Sequence, residues 1–448
     1  MDTMSSQSRE IPRAQDEEFA HLRLEGMGTL GDTLASYEGE VINVFGGIPG
    51  EEVEGRILRY RRRRRRREQV SAIVTDVLKP SPHRVPSPCP YFGPCSGCQW
   101  QHIEYPHQLS LKRQAVEREL RQFAELDDVT VSETIPSPEE FGYRNHARFT
   151  VRREGTLGFN NRMTRRFVRI ERCMLMNSRI NEILSMLQDR CRETTNLTVR
   201  YGMNTSDWLV QPTLKSDDVP LPTGQKHYRE KLLAREFRIA SPSFFQVNTR
   251  QAERLVLLVN ERLKLAGNEI LVDAYAGVGV FAVLLAPSVK RVIAIEESEA
   301  AIKDAFVNAT GIENLEFRQG RTEDVLGNLG FRPDAVVLDP PRLGCGPAAL
   351  DAIVRWAPTR TVYVSCDPQT LARDLRVLVR GGLRLETVEP VDMFPQTHHV
   401  ECVATLSLNG QGQRRRDGIE QQRHKGAASG QARSAESAPT VRDVLGQR

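Results

Sequence analysis

The stretch EILVDAYAGVGVFA, residues 269–282, decides the fold of the carboxyl-terminal half of this chain. A short apolar run leads into two glycines, Gly277 and Gly279, and a helical pattern follows them. Glycine has no Cβ, so it lets the backbone turn tightly and approach a bound molecule closely. A strand, a glycine turn and a helix in this order predict a cofactor site in an open α/β sheet.

An acidic residue strengthens the prediction of a cofactor site at this turn. Glu296 ends the next apolar run, about twenty residues on, where a carboxylate can bind both hydroxyls of a ribose. With Ala282 the turn fits the pattern G-x-G-x-x-A, so the motif alone allows either a dinucleotide or S-adenosylmethionine. The simpler interpretation is a tight turn without a ligand, and the position of the acid weighs against it.

Short apolar runs recur after the glycine turn, with helical stretches between most of them. They are RVIAIE at 291–296, NLEFRQG at 314–320, PDAVVLDPP at 333–341 and TVYVSCDP at 361–368. Regular alternation of strands and helices predicts a doubly wound, largely parallel sheet. We therefore predict an α/β domain over residues 241–408.

The rest of the chain divides by composition into four regions. Residues 1–16 and 409–448 are polar and lack periodicity, so we expect them to be disordered. Residues 17–80 alternate apolar and polar positions between Gly and Pro turns, which predicts a small β-barrel. Residues 81–240 carry mixed signals, including an amphipathic helix within 107–126, and predict a central α+β domain.

Overall composition narrows the class of protein. A hydrophobic content of 39% and a charged content of 27% are ordinary for a globular protein. No stretch is long and apolar enough to span a bilayer, and the amino terminus lacks the apolar segment of a signal peptide. We therefore expect a cytoplasmic monomer without a membrane partner. In that reducing compartment the 8 cysteines indicate metal binding or chemistry more than disulfides.

Residues 61–67 are seven consecutive arginines. Their mutual repulsion excludes burial, so the run must lie in solvent, between two of the predicted strands of the barrel. One interpretation is a solvated loop without a partner. The other is a surface that binds a nucleic-acid backbone, because the planar guanidinium fits phosphate.

A cysteine pattern predicts a metal site in a loop rich in Pro and Gly. Cys89, Cys95 and Cys98 form C-x5-C-x2-C, and we expect the segment 81–106 to be held by something other than packing. Tetrahedral sulfur coordination requires a fourth ligand, for which Cys173 is the best candidate, since Cys191 falls in a helical pattern and is expected in the core. The spacing does not distinguish zinc from an iron–sulfur cluster.

Three polar residues stand at or near predicted strand ends in the α/β domain. Cys366 follows a short apolar run, so its thiol lies at the sheet edge where ligands bind. Asp339 follows another run and precedes two prolines, and this rigid wall could hold a planar base by its N–H edge. Glu401 lies on a predicted last strand, where a lone carboxylate is usually solvated.

Five stretches in this order resemble the RNA uracil-5-methyltransferases. They are FRIASPSFFQVNTRQAERL (237–255), DAYAGVGVF (273–281), LDPPRLG (338–344), VYVSCDPQTLARDL (362–375) and HHVECVATL (398–406). The cysteine loop and the predicted barrel resemble the branch that carries a TRAM domain and a [4Fe–4S] cluster. The likeness covers most of residues 20–408. It implies a Rossmann-like methyltransferase domain with an amino-terminal OB-like barrel and a mixed α+β central domain.

The resemblance also implies roles for individual residues. Cys366 matches the nucleophile that adds to C6 of uracil, and Glu401 matches the base that later removes the C5 proton. Asp339 would orient the cofactor and the edge of the uracil, which is expected to be flipped out of its stack. The positions that match S-adenosylmethionine contacts are Gln246, Tyr275 and Glu296. The cluster ligands would be Cys89, Cys95, Cys98 and Cys173.

The expected partner is RNA, with 23S ribosomal RNA as the first substrate and transfer RNA as the alternative. Two positions depart from the family pattern: Val280 stands where many members have Asn, and Arg321 stands where relatives often have a polar cofactor contact. Two other functions remain open. The glycine turn alone permits an NAD-dependent enzyme, and the whole pattern permits an RNA-binding iron–sulfur protein without turnover.

Overall fold

A computed structural model describes residues 18–61, 68–161 and 164–408. The chain divides into two compact units. The first unit runs to Gly93 and also contains Cys98–His107, whereas the second contains Pro94–Gly97 and the chain from Gln108 onward. The predicted disorder of residues 1–16 and 409–448 concerns segments outside the described residues, as does the arginine run from 62 to 67.

A six-stranded sheet lies in the first unit. Its strands are β1 (Phe19–Arg23), β2 (Gly26–Met27), β3 (Thr33–Tyr37), β4 (Glu40–Phe45), β5 (Glu52–Arg61) and β6 (Glu68–Lys79). They are ordered β1-β5-β6-β4-β3-β2 and are antiparallel except for the β4–β6 pair. Alternate residues such as Leu22, Val44 and Val53 pack into one core. The β-rich amino-terminal domain that the alternation predicted is confirmed.

The cysteine-rich segment is packed more firmly than predicted. It consists of turns, but Trp100 and Ile103 are almost fully buried in the first unit. The Trp100 indole Nε1 donates a hydrogen bond to the carbonyl oxygen of Gly31 at 3.1 Å. The expectation that something other than packing holds this segment was therefore wrong for its second half, because two large apolar side chains stand among the small residues and anchor it.

The second unit begins with helix α1, which as a whole spans Tyr105–Leu120, and continues into a mixed α+β region. A five-stranded sheet is ordered β11-β10-β7-β8-β9, and a hairpin of β12 and β13 follows. The elements are β7 (His146–Val151), β8 (Leu157–Asn160), β9 (Phe167–Arg169), α2 (Ser178–Leu187), β10 (Asn196–Tyr201), β11 (Trp208–Gln211), β12 (His227–Leu232) and β13 (Arg235–Ala240). Cys191 lies beyond the end of α2 and is buried, as predicted for a core cysteine.

A seven-stranded sheet ordered β16-β15-β14-β17-β18-β20-β19 follows. Its strands are β14 (Ile270–Ala274), β15 (Arg291–Glu296), β16 (Leu315–Gln319), β17 (Ala335–Leu338), β18 (Arg360–Ser365), β19 (Leu383–Val391) and β20 (Glu401–Leu408). The helices are α3 (Thr249–Leu263), α4 (Val280–Leu285), α5 (Glu299–Asn308), α6 (Thr322–Val325), α7 (Pro347–Trp356) and α8 (Pro368–Arg380). Strands β14 to β18 are parallel, which confirms the predicted Rossmann-like α/β fold.

The last two strands depart from this parallel pattern. Strand β20 runs antiparallel to β18, and β19 pairs antiparallel with β20 at the edge of the sheet. Apolar residues cover both faces of the sheet, with Val272 in one core and Leu271 in the other. Across the described part of the chain, every helix is too short or too polar to cross a membrane.

Candidate active site

A cavity of about 1340 Å³ opens at the carboxyl ends of the parallel strands. This volume exceeds the roughly 300–1,000 Å³ of a typical small-ligand pocket, so it has room for two ligands side by side. The structure brings six of the predicted site residues to its wall, namely Gln246, Tyr275, Glu296, Asp339, Cys366 and Glu401. The two departures from the family pattern, Val280 and Arg321, also line it.

The glycine turn forms one side of the cavity between β14 and α4. Tyr275, Gly277 and Gly279 have φ values of 65°, 57° and 86°, which is the left-handed region. Glycine reaches this region without strain, whereas Tyr275 does so at a cost that is typical of functional sites. The Asp273 carboxylate oxygen Oδ2 accepts a hydrogen bond from the Ala282 backbone N–H at 2.8 Å, which fixes α4 against the strand.

Glu296 connects the glycine turn to the end of β15. Its two carboxylate oxygens accept hydrogen bonds from the backbone N–H groups of Gly277 and Ser298, each at 2.7 Å. A carboxylate offers about four acceptor positions, so two remain for hydroxyl groups in the cavity. The residue therefore stands where an acid that binds a ribose is expected, and it is already held in place.

Of two further carboxylates near the glycine turn, Asp339 lines the cavity and Asp273 is fully buried on β14. Burial, reinforced by Asp339 and Glu296, raises the pKa of Asp273 to about 8. Burial also raises the pKa of Asp339 to about 7. Within the described chain, the Asp273 oxygen Oδ1 is buried without a hydrogen-bond partner. The two acidic residues among the predicted cofactor contacts in the wall, Glu296 and Asp339, fit a ligand that brings positive charge and hydroxyl groups, and S-adenosylmethionine has both.

Cys366 directly follows β18, and Glu401 begins the adjacent strand β20 at the same edge of the sheet. Ser365 of β18 pairs with Cys402 of β20, so the next residues along the two strands, Cys366 and Glu401, also stand across from each other. Both line the cavity. The turn after the thiol is fixed because Asp367 begins α8 and its side chain accepts a hydrogen bond from the Thr370 backbone N–H at 3.0 Å.

The surroundings of this pair raise the pKa of both groups. Burial raises the pKa of the Cys366 thiol to about 12, and the neighbouring Glu401 and Asp339 add to the shift. Burial also raises the pKa of Glu401 well above its ordinary value, with a further contribution from Asp339. Arg342 opposes both shifts because its positive charge favours the thiolate and the carboxylate.

Several residues of the cavity wall were not predicted from the sequence. The Tyr275 hydroxyl donates to Glu323 Oε1 at 3.0 Å. Asp374 Oδ2 accepts from the Tyr363 hydroxyl at 2.6 Å and from the Cys345 backbone N–H at 2.7 Å. Asp374 lies within one of the quoted family stretches, but a carboxylate on a helix gives no local signal that it is buried.

The four cysteines predicted as cluster ligands are not gathered into a metal site. Cys89 and Cys98 belong to the first compact unit, whereas Cys95 and Cys173 belong to the second. All four are half-buried. In the described ranges, no three His, Cys, Asp or Glu side chains are arranged to hold a metal ion. The cluster therefore has no support from the placement of these side chains.

The chain resembles RNA methyltransferases over most of its length. Residues 229–409 match the family described as tRNA (uracil-5-)-methyltransferase. An uncharacterized RNA methyltransferase of Gloeobacter violaceus is 34% identical over 84% of this chain and 93% of the relative. An uncharacterized RNA methyltransferase of Halalkalibacterium halodurans is 31% identical over 90% of this chain and 99% of the relative. The solved structure of Pyrococcus abyssi tRNA (uracil-54, C5)-methyltransferase with S-adenosyl-L-homocysteine is 27% identical, with a TM-score of 0.66, and the match covers 87% of this chain and 100% of that one.

Proposed function

The chain belongs to the RNA uracil-5-methyltransferase family, and we propose that Cys366 and Glu401 carry out the methylation of a uridine through a covalent adduct. The observation that supports this most strongly is that a thiol and a buried carboxyl group stand across from each other beside the glycine turn. An NAD-dependent enzyme is excluded by the family, which uses S-adenosylmethionine.

The first step is addition of Cys366 to C6 of the uracil ring. C5 of uracil is a poor nucleophile, and a bond from sulfur to C6 moves an electron pair toward C5 and O4. Cys366 reacts as the thiolate, after the proton of the thiol has passed to solvent. Arg342 assists because its charge lowers the pKa of Cys366 against the effect of burial.

The second step places the methyl donor against C5. When bound, S-adenosylmethionine supplies the methyl group. Glu296 would accept hydrogen bonds from the ribose hydroxyls, and Gln246 and Tyr275 would hold the rest of the molecule along the glycine turn. Asp339 has a pKa raised to about 7, so it can present either an acceptor or a donor to the edge of the uracil.

The third step is removal of the C5 proton by Glu401. The C5–H electron pair then re-forms the ring double bond, the sulfur–C6 bond breaks, and Cys366 leaves as a thiolate. A base with a raised pKa holds the proton that it takes. Glu401 is 3% exposed, so the proton is also shielded from exchange with solvent until product leaves.

We propose 23S ribosomal RNA as the substrate and a monomer as the active form. Two features support this choice: a β-rich amino-terminal unit, which we infer to be a TRAM domain, and the cysteine loop, both typical of the ribosomal branch. The second candidate is the T-loop of transfer RNA, which is favoured by the Pyrococcus abyssi relative because that enzyme acts on uracil 54 of a tRNA.

Incubation with labelled S-adenosylmethionine and unmodified transcripts of each RNA tests both candidates. We expect label in 23S ribosomal RNA fragments, mapped by mass spectrometry as 5-methyluridine. Label in the T-loop alone would favour transfer RNA and leave the chemistry intact. No label in either RNA would support the non-catalytic alternative.

We also propose that Cys89, Cys95, Cys98 and Cys173 bind a [4Fe–4S] cluster. The support is the C-x5-C-x2-C spacing and the resemblance to the ribosomal branch. One local contact is consistent with it: the Gln101 side chain Nε2 donates a hydrogen bond to Cys98 Sγ at 3.1 Å. Hydrogen bonds of this kind stabilise cluster sulfur atoms.

A further inference from the structure

The sheet of the central region has one face that leads directly to the cavity. Strand β7 buries Ala147, Phe149 and Val151 on its inner side, so His146 and Arg148 lie on the opposite side. His146 lines the cavity. Alternate residues on a strand are about 7 Å apart, so Arg148 is one step outward from the cavity wall.

The next strand turns back toward this same end of the sheet. Thr150 of β7 pairs with Gly158 of β8, so β8 ends at Asn160 beside the beginning of β7. Asn160 then pairs with Phe167 of β9. Arg165 and Arg166, which directly precede β9, therefore lie at the cavity end of the sheet.

Arg148, Arg165 and Arg166, here called the arginine strip, are exposed cations without an acidic partner in the described part of the chain. Neighbouring arginines differ in this respect. Arg169 forms ion pairs with Glu171 and with Asp189, the latter at 2.7 Å, so its charge is already compensated. The strip thus presents unneutralised positive charge beside the mouth of the cavity.

One member of the strip, Arg148, contributes to the electrostatics at the cavity wall. Burial, followed by the charges of Arg200, Arg144 and Arg148, lowers the pKa of His146 to about 3. His146 is therefore neutral, and its Nε2 atom is buried without a hydrogen-bond partner among the described residues. Positive charge that helps to lower the pKa of a histidine at the cavity wall would also attract phosphate groups there.

We propose that the arginine strip binds the phosphates of the RNA strand next to the uridine that enters the cavity. This inference rests on the proposed function, since it supplies the path of the substrate on either side of a flipped base. A base inserted in a cavity leaves its two neighbouring phosphates at the mouth, and arginine is the side chain best suited to bind them. The strip acts on the backbone, so it contributes affinity for RNA without reading sequence.

The test compares removal of the three arginines of the strip with removal of two exposed arginines elsewhere in the same region. One variant is Arg148→Gln/Arg165→Gln/Arg166→Gln. The control variant, Arg153→Gln/Arg192→Gln, removes exposed arginines that follow β7 and α2, away from the start of β7. The readout is the affinity for unmodified 23S ribosomal RNA transcript between about 50 and 200 mM salt, together with steady-state methyl transfer.

The logarithm of the RNA affinity falls linearly with the logarithm of the salt concentration, and we expect each lost phosphate contact to lower this slope by roughly one unit. The slope should therefore fall by about two to three units in the triple variant and stay unchanged in the control variant. The KM for RNA should rise while kcat at saturating RNA and the affinity for S-adenosylmethionine stay unchanged. Equal salt slopes in the triple and control variants would overturn the inference. If the triple variant loses RNA affinity but the unaltered protein methylates neither 23S ribosomal RNA nor transfer RNA, the role of the strip is supported and only the proposed function is rejected.

Discussion

Ser365 on β18 pairs with Cys402 on β20, and this single register sets the thiol of Cys366 opposite the carboxyl group of Glu401. A slip of β20 by one residue would turn Glu401 to the other face of the sheet, away from Cys366. The two groups also influence each other, because the Glu401 carboxylate helps to raise the pKa of Cys366. The antiparallel β20 thus supplies a residue that the parallel strands could not place at this edge.

Cys366→Ser should abolish methyl transfer and covalent trapping by RNA that contains 5-fluorouridine. A serine hydroxyl is far less nucleophilic than a thiolate, so no adduct at C6 should form. Retained affinity for S-adenosylmethionine would show that the cavity is intact. Cys191→Ala, at a buried cysteine that does not line the cavity, should keep trapping. A covalent complex in the Cys366→Ser protein would disprove the assignment.

Glu401→Gln should accumulate a methylated enzyme–RNA adduct. The amide cannot accept the C5 proton, so elimination stalls after methyl transfer. Denaturing electrophoresis followed by mass spectrometry of the adduct measures this directly. Glu386→Gln, on neighbouring β19 outside the cavity, serves as the control and should release product normally. Unmodified RNA that dissociates freely from the Glu401→Gln protein would indicate a different base.

The rate at which iodoacetamide alkylates Cys366 should increase steadily with pH. Only the thiolate reacts, and a pKa raised to about 12 means that the thiolate fraction grows about tenfold per unit between about pH 7 and 10. Glu401→Gln removes a carboxylate that raises this pKa, so it should speed alkylation wherever Glu401 is ionised. Peptide mass spectrometry follows the reaction. A plateau below about pH 9 would contradict the raised pKa.

The residues that the sequence predicted best are those at which an apolar run ends in a polar side chain. Glu296, Asp339 and Cys366 are of this kind, because parallel strands end at one edge and bring their last residues together. Glu401 was found only through the resemblance, since alternation alone predicts a solvated carboxylate. It is buried because Val391 of β19 pairs with it on the far side.

Strand β19 itself was not predicted, for a local physical reason. Pro390 lies within it, and its register with β20 shifts between Leu385 and Thr387. Proline and a bulge both interrupt the alternation by which strands are recognised, and proline is tolerated here because β19 is an edge strand. Side-chain contacts between residues far apart in the chain could not be predicted from the sequence pattern.

One such contact leads to a prediction about stability. Lys112 Nζ on α1 lies 2.5 Å from Asp392 Oδ1 just after β19, and both side chains are fully buried. Lys112→Met should leave the Asp392 carboxylate buried without its cation, which costs about 3–5 kcal/mol of the free energy of unfolding. Thermal and denaturant unfolding of the second unit measure the loss.

Two further variants separate charge from packing at this ion pair. Lys112→Met/Asp392→Leu should recover most of the lost stability, because both buried charges are then removed. Lys303→Met, at an exposed lysine paired with Glu299 at 2.6 Å, should leave the unfolding midpoint unchanged. If Lys112→Met were as mild as Lys303→Met, the pair would contribute little to the stability of the second unit.

Anaerobically purified protein should be brown and contain about four iron and four sulfide ions per chain, as a [4Fe–4S] cluster requires. Cys95→Ser should lose both, because it removes one of four thiolate ligands, whereas Cys345→Ser should keep them, since Cys345 lies in the wall of the active-site cavity.

The experiment bears on a real conflict between pattern and placement, because the spacing predicts a cluster and the described side chains do not gather into a metal site. One zinc ion without sulfide would show that the cysteines bind metal but not iron–sulfur, and absence of any metal would remove the site altogether.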